Sequence, residues 1–417
     1  MNKMKNPLFF TRNRKKIIEL MDDDSVLVLF SGNPPHRSSD EFYPFTANKN
    51  FYFLTGIEQA NVILMITRYE DEIEEKLYIE RSDPKMEKWV GKKLDKEEAS
   101  ELSGIQTIRY LDEFYGNLHN RFARDEYQYL CLDLERLGWG QKETAVEKFS
   151  KEVTEKYPFL TVQNFFNDIC ELRMIKGNIE IENMKNANDL TRRGIESIMK
   201  NCKPGLKEYE LEAEFNYVLN KAGVFKTAFD TIAASGVNAT VLHYEANNCE
   251  LIDGDLVLLD LGATCNNYCA DVSRTIPVNG KFSDRQKTLY NIVLRAMNET
   301  IESVKPGITL EELNDITKMV LAEECKKIGL IQNNDEISRY YYHGVSHYLG
   351  MDSHDVGVAG IPIEEGMVIT VEPGLYVAEE GIGIRIEDDI LVTEDGHENL
   401  SAGIIKTVDD IENFMKK

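Results

Sequence analysis

The stretch Asp255-Leu-Val-Leu-Leu-Asp260-Leu-Gly262 has a counterpart in Met367-Val-Ile-Thr-Val-Glu372-Pro-Gly374. Each is an apolar run that reads as a buried strand interrupted by one carboxylate. Each follows an acid-glycine pair, Asp253-Gly254 or Glu365-Gly366, and each carboxylate falls six residues beyond its glycine. A second acid lies in the next β-like stretch: Asp271 precedes Val-Ser-Arg274, and Glu387 follows Arg385-Ile. Working outward, two copies of one acid-bearing hairpin would bring four carboxylates together. Four such groups cannot share an interior site unless they are protonated or neutralised. Two divalent cations would supply the balancing charge.

The repeat extends around these hairpins. Lys203-Pro-Gly-Leu206 leads into Glu210-Leu211, and Lys305-Pro-Gly-Ile308 into Glu312-Leu313, both between helical patterns. Gly236-Val237 and Gly344-Val345 come next, followed by His243 or His354. The order helix, Lys-Pro-Gly, helix, His, hairpin therefore occurs twice, predicting a pseudo-twofold α/β sandwich with a site at its centre. Ser283 with Gln286 and Thr309 with Glu312 form capping-box patterns for two of the helices. In the first hairpin, a turn near Cys265-Asn266 would place Asp260 and Asp271 opposite each other, Cβ atoms about 5 Å apart. Carboxylates so placed can bridge two metals about 3.5–4 Å apart.

His343-Gly-Val-Ser-His347 and His354-Asp-Val-Gly357 gather three of the seven histidines within twelve residues. A lone histidine is usually an ordinary surface or core residue, but clustering beside paired carboxylates favours a site role. Asp260, Asp271, His347, Glu372 and Glu387 make a mostly hard donor set. That set favours Mn²⁺, with Co²⁺, Fe²⁺ or Zn²⁺ as alternatives governed by availability. Two metals lower the pKa of a bridging water and polarise a carbonyl for attack. Glu372 can relay the proton that a leaving amine needs. His243 and His354 can hydrogen-bond a developing oxyanion. The expected reaction is metal-assisted hydrolysis of an amide.

At 417 residues the chain is long enough for two or three domains. Its formal charge of -24 argues against nucleic acid or an anionic membrane as partner. No segment approaches a membrane-spanning run of about 18 apolar residues. Pro7-Leu-Phe-Phe10 is too brief for a signal-peptide apolar region, so the expectation is a cytoplasmic protein. Seven cysteines without regular spacing suggest free thiols in a reducing compartment. Cys265 and Cys269, flanking a turn, leave pairing or metal binding as alternatives.

The first part of the chain alternates strands and helices. Val26–Phe30, Asn61–Ile66, Leu77–Ile79 and Tyr129–Leu132 read as buried strands, and Leu94–Leu102 and Ala145–Tyr157 as helices. A long helix follows, with Ile181, Met184, Ala187, Ile195 and Ile198 on one face about 120° wide. The expected fold is α/β (α+β), with residues 1–170 an N-terminal mixed-sheet domain and residues 171–417 the catalytic domain.

These motifs together resemble the creatinase/methionine aminopeptidase family, the pita-bread metallopeptidases, and within it the aminopeptidase P group. The matching segments are Leu256–Gly262, Ala270-Asp-Val-Ser-Arg-Thr275, His343-Gly-Val-Ser-His-Tyr-Leu-Gly350, Val371-Glu-Pro-Gly-Leu-Tyr376 and Ile384-Arg-Ile-Glu-Asp388. Arg37-Ser-Ser-Asp40 through Tyr52-Phe-Leu-Thr-Gly56 looks like the family's N-terminal domain, so the resemblance covers nearly the whole chain. It implies an Xaa-Pro aminopeptidase with two divalent metals, acting on peptides that carry proline second. It implies that Asp260 chelates one metal, Asp271 and Glu387 bridge both, and His347 and Glu372 complete the shell. His243 and His354 would contact substrate, while His343 and Arg385, with Tyr376 nearby, would line the proline site. Trp89 resembles a tryptophan that reaches a neighbouring subunit's site; a local packing role is the alternative. Trp139 reads as structural. A homodimer or homotetramer is implied.

Proline gives a tertiary amide without an N–H and a constrained φ. A peptidase that binds substrate as an extended strand loses a donor there, whereas a pocket of imidazole and aromatic faces can take the ring. Within the same fold the alternative is a prolidase, restricted to dipeptides, against which Ser346 is a thin discriminator. Methionine aminopeptidase fits less well because of the long N-terminal domain, and creatinase because it lacks this metal set. A non-catalytic peptide-binding module is the remote alternative, disfavoured because all five ligand positions are retained.

Overall fold

Val26-Leu-Val-Leu29 carries no polar interruption, and it becomes the most enclosed strand of a six-stranded sheet. The structure, a computed structural model, describes residues 6–124, 126–136, 138–358 and 360–416. The chain divides into two compact units, Asn2–Arg173 and Met174–Lys417. In the first, β1 (Ser25–Phe30), β2 (Ile63–Tyr69), β3 (Glu72–Ile79), β4 (Thr107–Tyr110), β5 (Tyr129–Leu132) and β6 (Thr161–Asn164) run in the order β4-β3-β2-β1-β5-β6. β1 pairs antiparallel with β2 and parallel with β5, so the sheet is mixed. Both faces of β1 are covered, which is why it reads as one continuous apolar run. β4 and β6 were not anticipated. They are four-residue edge strands with polar side chains, Thr107-Ile-Arg-Tyr110 and Thr161-Val-Gln-Asn164, and carry little periodic signal. The expected helices appear as Lys96–Ser103 and Ala145–Lys156.

The second unit contains the repeat. Helices α1 (Asn178–Asn201) and α2 (Glu208–Lys221) precede β7 (Ile232–Ser235), β8 (Leu256–Leu261) and β9 (Val272–Pro277). Helices α3 (Asp284–Glu302) and α4 (Leu310–Lys327) precede β10 (Val368–Val371), β11 (Gly374–Val377), β12 (Ile382–Arg385) and β13 (Asp388–Val392). The Lys-Pro-Gly turns join α1 to α2 and α3 to α4, and they make matching bonds. Gly205 N–H donates to the Leu251 carbonyl and Gly307 N–H to the Ile363 carbonyl, both at 2.9 Å. Leu251 N–H returns to Leu206 O at 2.8 Å, and Ile363 N–H to Ile308 O at 2.7 Å. Both expected capping boxes form, at Ser283 and at Thr309.

Each half builds a three-stranded antiparallel sheet, with β8 central in the first and β13 central, between β10 and His397–Asn399, in the second. β8 lies between β7 and β9, all antiparallel. β10 pairs with β13 on one side. On its other side β10 meets the segment 345–349 through an isolated bridge, Tyr348 with Ile369, and Glu372 N–H donates to Val345 O and Thr370 N–H to His347 O. The two layers meet where β9 touches the β12–β13 region, with Glu387 N–H donating to Ser273 O at 3.1 Å. One large apolar core runs through both halves, from Leu190 on α1 to Met415.

The register of the first hairpin corrects the sequence reading. The turn is Asn266-Asn267, with φ of 48° and 68°, not Cys265-Asn266. Both central residues take the left-handed conformation that a two-residue hairpin turn needs, and asparagine tolerates it. Moving the turn centre one position changes every pair. Asp260 therefore lies opposite Ser273, and Asp271 is its diagonal neighbour on the same face. The second hairpin differs: Gly374 pairs with Arg385 and Val371 with Asp388, so Glu372 and Glu387 fall directly opposite.

Candidate metal centre

Every expected ligand lies on or beside a strand of these two layers. Asp260 is on β8, and Asp271 immediately precedes β9. Glu372 sits between β10 and β11, and Glu387 between β12 and β13. His347 comes from the segment 345–349 against β10. Asp271, His347 and Glu387 offer ligand atoms that all lie within 4.8 Å of one another. His347 Nε2 is 3.6 Å from Asp271 Oδ2, 3.6 Å from Glu372 Oε1 and 4.0 Å from Glu387 Oε1. Asp260 joins from the side, its Oδ2 accepting from Arg385 at 2.6 Å. Its Oδ1 is buried with no hydrogen-bond partner.

The electrostatics favour cations here. Burial, with Glu387 and Asp260 close by, pushes Asp271 well above the usual carboxylate range. Burial, with Glu372 and Asp260, does the same to Glu387. Burial also raises Glu372, to about 8, even though Arg385 opposes the shift. Arg385 is one fixed positive charge among four acids. His343 and His347 add none: burial takes both down to about 4, assisted by Arg385 and His354 respectively. His347 Nδ1 lies 3.1 Å from the Tyr348 carbonyl, which fixes Nδ1 as the N–H and leaves Nε2 its lone pair toward the acids. A neutral imidazole, four oxygen-donor carboxylates and an orphaned carboxylate oxygen fit divalent metal ions.

A cleft of about 700 Å³ opens over these groups. Besides the five expected ligands, its lining includes His243, His343, His354, Arg385 and Ser346. His354 stacks on His347, ring centres 4.1 Å apart and nearly parallel. His343 Nε2 is 2.8 Å from the Tyr376 hydroxyl, which also accepts from Arg385 at 3.1 Å. Tyr376 is buried behind this wall, 2% exposed. Trp89 belongs to the other unit, on the short helix Glu87–Val90, and is 86% exposed, so it is not a local packing residue. Trp139 is fully exposed, which corrects its reading as structural. Cys265 and Cys269 are both buried. The Cys265 thiol lies 3.5 Å from Asn183 Oδ1 and that of Cys269 3.6 Å from Met351 O.

Known proteins carry the same pattern. A family model described as metallopeptidase family M24 matches residues 182–394, and one described as the aminopeptidase P N-terminal domain matches residues 10–130. The Xaa-Pro aminopeptidase of Escherichia coli (strain K12) is 33% identical over 435 aligned residues, covering 97% of this chain and 97% of that one. The chain belongs to metallopeptidase family M24. Its N-terminal match places it in the aminopeptidase P branch of that family, and it is a metallo-exopeptidase. Among solved structures, a Bacillus anthracis protein assigned to aminopeptidase P is 52% identical, with a TM-score of 0.97 and 98% of each chain covered. Escherichia coli aminopeptidase P, solved with the inhibitor Pro-Leu, is 32% identical with a TM-score of 0.91, again over 98% of each chain.

Several residues that hold this M24 site in place escaped the sequence reading. Ser273 Oγ donates to Glu387 Oε2 at 2.7 Å and accepts from Arg385 Nε at 2.9 Å. Asp389 accepts from the Asp271 backbone N–H and from Asn188 Nδ2, the latter at 2.7 Å. Arg274 and Asp388, both side chains 0% exposed, pair at 2.6 Å across the two halves. Arg274 also donates to the Glu387 carbonyl at 2.6 Å. The strings Ser273-Arg274 and Asp388-Asp389 adjoin ligands, but only their burial separates these supports from surface polar residues. Among the described residues, no helix is long and apolar enough to cross a membrane.

Proposed function

We propose that this chain is a dinuclear-metal aminopeptidase that releases the N-terminal residue from peptides with proline in second position. One observation carries the reading: two buried and two half-buried carboxylates from two related hairpins converge near His347 Nε2, leaving Asp260 Oδ1 unpartnered. Asp260 would chelate one ion, Asp271 and Glu387 would bridge both, and His347 and Glu372 would complete the set. When bound, such a pair supplies Lewis-acid polarisation and makes water acidic enough to yield hydroxide near neutral pH. Mn²⁺ is the preferred occupant on the hardness of the donors; a structure of Escherichia coli aminopeptidase P described as Zn-substituted also exists.

The chain's own groups do the rest. His354, pushed below the ordinary imidazole range by burial, is neutral at pH 7 and can donate one N–H to a carbonyl oxygen gaining charge. His243 faces the same cleft and would share that task. Glu372 lies 3.6 Å from His347 Nε2 and 3.8 Å from His343 Nδ1, and it would carry a proton to the departing prolyl nitrogen. His343, Tyr376 and Arg385, locked together by the Tyr376 hydroxyl, form a firm wall against which the proline ring would rest. Trp89, with its exposed indole, would reach a neighbouring copy's cleft in a homodimer or homotetramer. The net charge of -24 and the irregular cysteine spacing favour a cytoplasmic setting without nucleic-acid or membrane partners. The division near residue 170 is proposed as the boundary between the N-terminal and catalytic domains.

The test is hydrolysis of Arg-Pro-Pro and of an Xaa-Pro dipeptide by protein stripped with chelator and reloaded with Mn²⁺. Metal-dependent release of arginine from the tripeptide is expected. Cleavage of the dipeptide alone would make the enzyme a prolidase, and no turnover of either would make it a binding module.

A further inference from the structure

His243 is an exposed residue of the segment 236–249, between β7 and β8. A catalytic group on a loop contributes only if its support fixes it to well under an ångström or so. That support is visible in one buried side chain. Glu208, the first residue of α2, is 0% exposed and accepts five hydrogen bonds, all from one segment. Its Oε1 takes Ser235 N–H at 2.8 Å, Ser235 Oγ at 2.7 Å and Asn238 Nδ2 at 3.1 Å. Its Oε2 takes the Tyr244 hydroxyl at 2.9 Å and Cys249 N–H at 2.8 Å. Among the described residues, Glu208 has no ion-pair partner. Burial alone would raise its pKa, but the donors of Ser235, Cys249 and Asn238 outweigh that and hold it below its ordinary value.

The same segment is pinned a second time. Asn247, 3% exposed, donates to Thr231 O at 2.7 Å and to Glu212 Oε2 at 2.9 Å, and accepts from Ala233 N–H at 2.9 Å. Tyr342 of the other half donates to Thr240 O at 2.6 Å. Of these anchors, Tyr244 is the residue adjacent to His243, and its ring packs beside Leu242 on the small cluster that contains Tyr376.

We infer that Glu208 and Tyr244 are positioning residues: the buried carboxylate grips the Tyr244 hydroxyl and so fixes His243 at the mouth of the cleft. This rests on the aminopeptidase reading above. Charge-assisted bonds to a desolvated carboxylate are short and strong, so the anchor is stiff. Neither residue touches the metal ligands, so the effect should fall on turnover and leave metal retention alone.

The experiment compares wild type, Tyr244→Phe, Glu208→Gln, His243→Ala and the double variant His243→Ala/Tyr244→Phe in the Mn²⁺-loaded protein. Tyr244→Phe keeps the ring and removes only the anchor. Expected is a roughly tenfold fall in kcat for Arg-Pro-Pro with unchanged metal content, and faster amide exchange confined to residues 236–249. In Glu208→Gln the amide N–H₂ would face the Tyr244 hydroxyl and Cys249 N–H, so it should loosen the same segment. Adding Tyr244→Phe to His243→Ala should cost nothing further, since the positioned group is already gone. Wild-type kcat and exchange in Tyr244→Phe, or a loss that simply multiplies with that of His243→Ala, would overturn the inference. If wild type cleaves no proline peptide yet Tyr244→Phe still frees residues 236–249, the aminopeptidase reading fails and the anchoring survives.

Discussion

Asp271 and His354 divide the site's labour, and single substitutions should separate the two roles. Asp271 is 4% exposed, its backbone N–H is held by Asp389, and its carboxylate faces His347 at 3.6 Å. Asp271→Ala removes a proposed bridging oxygen pair and leaves the other three acids misbalanced. Activity should fall by at least about a thousandfold and bound metal by half or more, checked by elemental analysis of the same preparation. His354 stacks on His347 but contributes no atom to the tight ligand cluster. His354→Ala should keep its metal and lose about 10²- to 10³-fold in kcat, the scale of one oxyanion donor. Metal loss in that variant would reassign His354 to structure. At this scale the sequence was informative about identity and poor about geometry. The fold brings the four acids and His347 to one place, whereas the Asp260–Asp271 pairing was misjudged by one turn position.

The hairpins are the elements that carry the ligands, and their closure depends on Gly262. A Cβ built there would lie 1.8 Å from the Ala270 carbonyl oxygen, a backbone atom that cannot swing away. Gly262 is the residue between Leu261 and the start of the small Thr264–Cys269 hairpin, so separating the strands would carry Asp260 and Asp271 apart. Gly262→Ala should therefore lower thermal stability by several degrees and weaken metal retention together, as read by melting and by equilibrium dialysis. A variant that melts and binds like wild type would show that the strands have slack. Here the repeated pattern of acid-glycine pair and apolar run was legible, because buried strands need uninterrupted apolar residues. The edge strands Thr107–Tyr110 and Thr161–Asn164 were not, because their one-sided burial leaves no such signature.

Over the whole molecule, the raised carboxyls of the site couple stability to pH and to metal binding. Asp271 and Glu387 are raised well above their ordinary values and Glu372 to about 8, so the folded state binds these protons more tightly than the unfolded chain. A raised carboxyl contributes stability below its unfolded pKa and loses it as pH climbs through the folded one. Metal-free protein should thus lose stability between about pH 5 and 8, while metal binding, which requires deprotonated ligands, gains over the same window. The Tm difference between Mn²⁺-loaded and chelated protein should widen from pH 5.5 to pH 8. Occupancy at a hundred times Kd is worth about 2.7 kcal/mol. An equal gap at both pH values would contradict the charge balance inferred for the site.

The sequence by itself determined the two-half plan, the mixed N-terminal sheet and which four acids and one histidine would be candidates for the site. Apolar runs, glycine turns and carboxylates are local features, and each copy of the repeat reports the other. Tertiary structure alone decided the rest: that Asp260 lies diagonal to Asp271 while Glu372 faces Glu387, that Arg385 reaches back to Asp260, and that Glu208, Arg274, Asp388 and Asp389 are buried supports. The reason is physical. Whether a polar side chain is solvated or locked into a network depends on what other segments pack over it, and residues far apart in the chain supply that cover.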